Sequence, residues 1–167
     1  IVLMEQGLLQ PGMFAVGGDS HSTHGGAFGC YMAGFGAIEM TGVVVTGEIW
    51  LQVPETLRID WHGEFGRGVV AKDVALYLCR ELGMDNAFRA VEFGGSSIAS
   101  MPMQERVVLT NMAAELGAET GLIAPDQVTL DCIRAAGVEP AADALMWRSD
   151  PDAPYLAAHA FDAGMLT

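Results

Sequence analysis

A chain of 167 residues that is 51% hydrophobic fits a single soluble domain with a substantial core. Its formal charge of -13 and only eight Lys plus Arg leave no basic stripe, which excludes nucleic acid and anionic membrane surfaces as natural partners. An anionic substrate must therefore meet locally arranged donors or a metal, against the field of the whole molecule.

In chain order, Gly12 to Gly17 contains the apolar run Met-Phe-Ala-Val, suited to a short buried strand. That strand delivers Gly17-Gly-Asp-Ser-His-Ser-Thr-His-Gly-Gly-Ala-Phe-Gly29, where an anion, hydroxyls, imidazoles and five glycines share one turn. Glycines permit tight bends and close approach of the backbone to a ligand. Ala27 to Met40 is small and apolar and reads as a buried helix, with Gly34 and Gly36 allowing close packing; Val43 to Thr46 either continues it or forms a strand. Pro54 to His62 alternates Leu57, Ile59 and Trp61 against Arg58, Asp60 and His62, the clearest strand pattern in the chain. Val70 to Leu82 places Val74, Tyr77, Leu78 and Leu82 at helical spacing ahead of Gly83, with Asp73 favourable at the helix start.

Ala90 to Phe93 reads as a strand, Met103 to Leu116 as a helix stopped by Gly117, and Gly121 to Ala124 as another strand. Asp126 caps a helix running to Ala136. After Pro140, alanine, aspartate and proline dominate a surface connection to Pro154, followed by a short segment at Tyr155 to Phe161. Strands alternating with helices imply an α/β layer architecture, with ligands near the carboxyl ends of strands. The Asp19 loop has that position.

The apolar stretches from Ala27 to Ala37 and Gly42 to Gly47 are too short and too glycine-broken to span a bilayer. Ile1 to Leu9 carries Glu5 and no basic region, so no secretory signal is expected and the cytoplasm is the expected location. Cys30, Cys79 and Cys132 are odd in number and widely spaced, which argues against a disulfide framework or a self-contained metal site.

Two clusters of residues point to chemistry. Asp19, Ser20 and His21 stand side by side in the glycine-rich turn, and Asn111 and Glu115, four apart, share one face of the predicted helix. From the residues alone both have a plain alternative, a tight connection and a solvated helix face. His24 is a weaker candidate, and His62 and His159 read as surface histidines. A nucleotide site is disfavoured, because neither Gly-Lys-Ser/Thr nor G-x-G-x-x-G with a following acid is present.

Read together, Glu5-Gln-Gly-Leu, Pro11-Gly-Met, Gly18-Asp-Ser-His21 with Gly26-Ala-Phe-Gly29, Val53-Pro-Glu-Thr56, Ala71-Lys-Asp73, Asn111-Met-Ala-Ala-Glu115 and Ala124-Pro-Asp126 form one ordered string. That string resembles the aconitase superfamily, and within it the group of 3-isopropylmalate dehydratase large subunits and homoaconitase-like proteins. The resemblance implies a three-layer α/β/α aconitase-type domain over residues 1–140, with 141–167 a connection and the start of a following segment. It implies a hydro-lyase of amino-acid biosynthesis, leucine biosynthesis included, that removes and re-adds water on a small hydroxy-di- or tricarboxylic acid. Such enzymes use a [4Fe-4S] cluster and a small swivelling subunit or domain. By the same resemblance, Asp19, His21 and Glu115 are catalytic, Ser20 and Asn111 bind substrate, and no residue of this chain is a metal ligand.

The departures carry expectations too. Ser22-Thr23-His24-Gly25 replaces the usual Thr-x-Thr-x pattern, which bears on substrate identity. The Cys-Thr-Asn and Cys-x-x-Cys cluster motifs are missing, so the chain is expected to be an internal piece of a larger enzyme, to bind no cluster and to be inactive alone. The alternative from another class is a non-catalytic structural or subunit-docking domain.

Overall fold

The computed structural model describes residues 1–167. A short helix α1 (Val2–Glu5) leads to strand β1 (Phe14–Gly17), a 3-10 helix (Ser20–Phe28), strand β2 (Tyr31–Gly34) and helix α2 (Ala37–Thr46). Strand β3 (Glu55–His62), helix α3 (Ala71–Leu82), strand β4 (Arg89–Gly94), helices α4 (Ser96–Ala99) and α5 (Met103–Asn111), strand β5 (Thr120–Ile123), helix α6 (Gln127–Ala135) and strand β6 (Ala157–Asp162) follow. All strand pairs are parallel: β1 with β2 in one small sheet, and β5-β4-β3-β6 in a larger one. The chain is thus a mixed α/β protein built on two parallel sheets.

The alternation of β3 holds in space. Leu57, Ile59 and Trp61 point into the larger core, where they meet Val91 and Phe93 of β4, Val74 and Leu78 of α3, and Leu109 of α5. Trp61 stacks on Phe161 of β6 at 4.9 Å between ring centroids. Helix α3 starts where expected, because Asp73 accepts the Val70 N–H at 2.9 Å. Its first N–H, on Ala71, donates to Glu105 at 2.6 Å, which ties α3 to α5.

On the reverse face of the sheet, Arg58 donates from Nε to Asp60 at 2.9 Å and also pairs with the buried Glu92. Ser149 donates to the other Glu92 oxygen at 2.6 Å and Tyr155 at 3.3 Å. The connection after Pro140 is thereby pinned across the sheet. Residues 141–167, expected as a connection and the start of a following segment, supply the edge strand β6 beside β3.

Two expected elements differ. No helix spans Ala27 to Met40: Gly29 turns the chain at φ +68°, and Tyr31–Gly34 then pairs with β1. Helix α2 forms only afterwards and buries none of its residues, with Ile38, Val44 and Val45 exposed. An apolar run alone cannot separate buried strand from buried helix, and here the available partner strand decides.

The helix expected over Met103 to Leu116 ends at Asn111 and continues as a 3-10 turn. Thr23 donates its hydroxyl to the Asn111 carbonyl at 3.0 Å. The Glu115 N–H accordingly bonds to Met112 rather than to Asn111. A distant hydroxyl thus replaces a bond of the helix ladder.

Candidate active site

The site forms where the 3-10 helix meets the end of α5. Asp19 caps that 3-10 helix, its Oδ1 accepting the His21 N–H at 2.8 Å. The nine-residue run is longer than such helices usually sustain. Close packing holds it: a Cβ on Gly26 would lie 1.6 Å from the Gly121 carbonyl oxygen of β5. A Cβ on Gly34 would likewise lie 2.3 Å from the carbonyl oxygen of Asp19. Only glycine lets the loop approach its neighbours this closely.

His21 reaches across to Glu115, 94 residues away, with Nε2 3.2 Å from Oε1. Its other nitrogen, Nδ1, is 3.1 Å from the Ser20 hydroxyl. An ionised carboxylate only accepts, so a neutral ring satisfies both contacts in one tautomer. Nε2–H donates to Glu115, and Nδ1 accepts from Ser20. When the ring gains a second proton, Nδ1 becomes a donor and the Ser20 hydroxyl is released to donate elsewhere. The arrangement can hold a proton at Nε2 and hand a hydroxyl donor to an anionic ligand.

Asn111 joins from α5, its amide Nδ2 donating to the His21 carbonyl at 2.8 Å. All five sequence candidates, Asp19, Ser20, His21, Asn111 and Glu115, are therefore linked in one network. The carboxylate at the His21 ring is Glu115. Asp19 serves the backbone N–H, its oxygen standing 3.9 Å from Nδ1, too far for a hydrogen bond. Composition and spacing pointed to neither Thr23 nor Thr110, whose hydroxyls stitch loop to helix, Thr110 donating to the His24 carbonyl at 3.2 Å. No local pattern marks such long-range bonds.

The site is open. The side chains of Asp19, His21 and Glu115 are 78%, 44% and 40% exposed. Clefts of about 380 Å³ beside Trp147 and about 310 Å³ beside Trp50 lie elsewhere and contain none of the five residues.

The thiols do not fit an iron–sulfur cluster. Cys30 and Cys132 belong to the smaller apolar cluster around Phe28 and Ile133, whereas Cys79 packs against the larger core. Burial pushes the Cys30 thiol up to about 11, away from the thiolate that a metal needs. Cys79 is raised too, first by burial and then by the charge of Glu115. No three His, Cys, Asp or Glu side chains are placed to hold a metal ion. No helix is long and apolar enough to cross a membrane.

The model of the aconitase family (aconitate hydratase) matches residues 1–167, the whole of the chain. The chain belongs to the aconitase family. Among similar members, the probable methanogen homoaconitase large subunit of Methanothermobacter thermautotrophicus is 43% identical over 99% of this chain and 38% of its own length. The 3-isopropylmalate dehydratase large subunit of Aquifex aeolicus is 37% identical over 99% of this chain and 38% of its length. The methanogen homoaconitase large subunit of Methanocaldococcus jannaschii is 41% identical over 79% of the chain and 31% of its length. This aconitase-family chain thus spans about two fifths or less of the length of these curated relatives.

Proposed function

We propose that this chain is part of the large subunit of a hydro-lyase acting on a small hydroxy-di- or tricarboxylic acid, of the isopropylmalate kind or of the kind whose dehydration gives a homoaconitate-type alkene, in amino-acid biosynthesis. The observation that carries the reading is the Asp19–Ser20–His21 loop meeting Asn111 and Glu115 through direct hydrogen bonds. The resemblance of all 167 residues to aconitase-family large subunits supports it.

Dehydration breaks a C–H and a C–O bond on adjacent carbons, forms a C=C bond and releases water; hydration reverses this. In our reading the His21 ring, doubly protonated beside Glu115, gives one proton to the departing hydroxyl and returns to its neutral tautomer, while the proton from carbon passes to a base in the rest of the enzyme; hydration reverses both transfers. Glu115 fixes the ring's tautomer and orientation. Ser20 presents its hydroxyl to a substrate carboxylate, a compact donor in a molecule poor in cations. Asp19 and Asn111 brace the backbone of His21 from either side.

The relatives are named large subunits, and we assign the facing wall of the site to a small subunit or swivelling domain and to the rest of the large subunit. We assign the ligands of a [4Fe-4S] cluster to that remainder, consistent with the dispersed thiols here. The isolated chain is then inactive, and the complete enzyme works in the cytoplasm.

The test is His21→Asn in the complete protein, assayed for hydration of the alkene formed from isopropylmalate and of homoaconitate-type alkenes. Removing a proton carrier is expected to lower kcat by about 10²- to 10⁴-fold while the fold, read by circular dichroism, persists. Undiminished turnover would reject the catalytic reading and leave a structural or docking domain.

A further inference from the structure

Two side-chain donors converge on one backbone atom of the site loop. The carbonyl oxygen of His21 accepts Asn111 Nδ2 at 2.8 Å and is also 2.8 Å from Nδ1 of His24. A carbonyl only accepts, so the short contact places a proton on His24 Nδ1. For a neutral ring that defines the tautomer, with Nε2 left as the acceptor.

His24 is itself held. Its own carbonyl accepts Thr110 Oγ1 at 3.2 Å, and its neighbour Thr23 donates to the Asn111 carbonyl at 3.0 Å. With the Asp19 carboxylate on the His21 N–H, both backbone polar groups of His21 are engaged by side chains. Only its side-chain torsions remain free to place the ring 3.2 Å from Glu115. Chemistry at such a ring is sensitive to displacements of about 1 Å, which can cost roughly 10²-fold in rate.

We propose that His24 is a positioning residue: with its proton on Nδ1 it tethers the His21 carbonyl from within the loop, while Asn111 tethers the same atom from α5, and together they set the His21 ring opposite Glu115. This rests on the reading of His21 and Glu115 as the proton-handling pair. Two substitutions separate donor from bulk. His24→Asn keeps an amide N–H close to the Nδ1 position, and His24→Leu removes it.

In the complete enzyme, the Leu variant is expected to lose about 10- to 100-fold in kcat with little change in KM, and the Asn variant to recover most of that loss. In the 167-residue chain, nitrogen-15 NMR is expected to show His24 as the Nδ1–H tautomer. The His21 ring signals should shift in the Leu variant and return in the Asn variant. An Nε2–H tautomer at His24 would overturn the proposal even if neither variant folded. Equal impairment of both variants would also overturn it, as would full activity of the Leu variant. Retained turnover in His21→Asn, with the NMR results as expected, would instead reject the catalytic reading and leave the tether standing.

Discussion

Replacing Asp126 by alanine is expected to destabilise the chain by about 4 kcal/mol, through the loss of a buried ion pair and a helix cap. Arg106 is wholly buried, and Asp126 accepts from both ends of its guanidinium, Nη1 to Oδ1 at 2.8 Å and Nη2 to Oδ2 at 2.7 Å. Nε donates to the Met101 carbonyl and the second Nη2 N–H to that of Ala99, so the cation anchors α5 to the turn before it. Leaving such a charge unpaired costs about 3–5 kcal/mol, and the low end applies because Asp126 is 36% exposed and water can partly replace it. The same carboxylate accepts the Thr129 N–H at 3.3 Å at the start of α6, a cap worth about 1 kcal/mol.

Asp126→Asn keeps the cap and one acceptor for Arg106, so its loss should be smaller by about 1 kcal/mol. Urea denaturation of the chain measures both. Acid supplies a further check. Burial pushes the Asp126 carboxyl up, but the hydrogen bonds and charge of Arg106 outweigh it and hold the group below its ordinary value of 3.8. The contribution is therefore fully present above that value and lost as pH falls through the lower folded value. The gap between wild type and Asp126→Asn should narrow as pH falls through this range. A loss under about 1 kcal/mol for the alanine variant, or a gap independent of pH, would refute the reasoning.

Gly26→Ala is expected to cost more than about 3 kcal/mol, since its Cβ would strike the Gly121 carbonyl at 1.6 Å and force the site loop off β5. Gly42→Ala, in the middle of α2 with open space around it, should instead stabilise by about 0.5–1 kcal/mol; denaturation curves of the pair give the contrast. A thiol reagent at pH 8 should modify the partly exposed Cys79 and Cys132 in the folded chain. Cys30, fully buried with its thiol raised to about 11, should react only on unfolding; rapid reaction of all three would contradict this burial.

Much of the fold was legible because several elements carry their own signals. The alternation from Leu57 to Trp61, the helical spacing of Val74 and Leu78 ahead of Gly83, and the Asp126 cap all recur in the structure close to their expected bounds. The site was legible in part. Asp19, Ser20 and His21 are neighbours in sequence, and their turn chemistry is local. That Glu115 belongs with His21 in one site was reached through resemblance, since spacing alone favoured a solvated face for Glu115, and its direct contact with the imidazole emerges only in the fold.

By itself, the sequence determined the local elements, the glycine-rich turn that bears His21, and an acidic surface without basic stripes. Only the tertiary structure decided that residues 31–34 pair with β1, that α2 stands exposed, that β6 closes the edge beside β3, and that α5 breaks at Asn111. The reason is competition for hydrogen bonds. Parallel strand pairing and the Thr23, Thr110, Asn111 and His24 bonds join groups far apart in the chain or outside its local ladders. Local periodicity records which faces are apolar, but not which distant donor claims a given carbonyl.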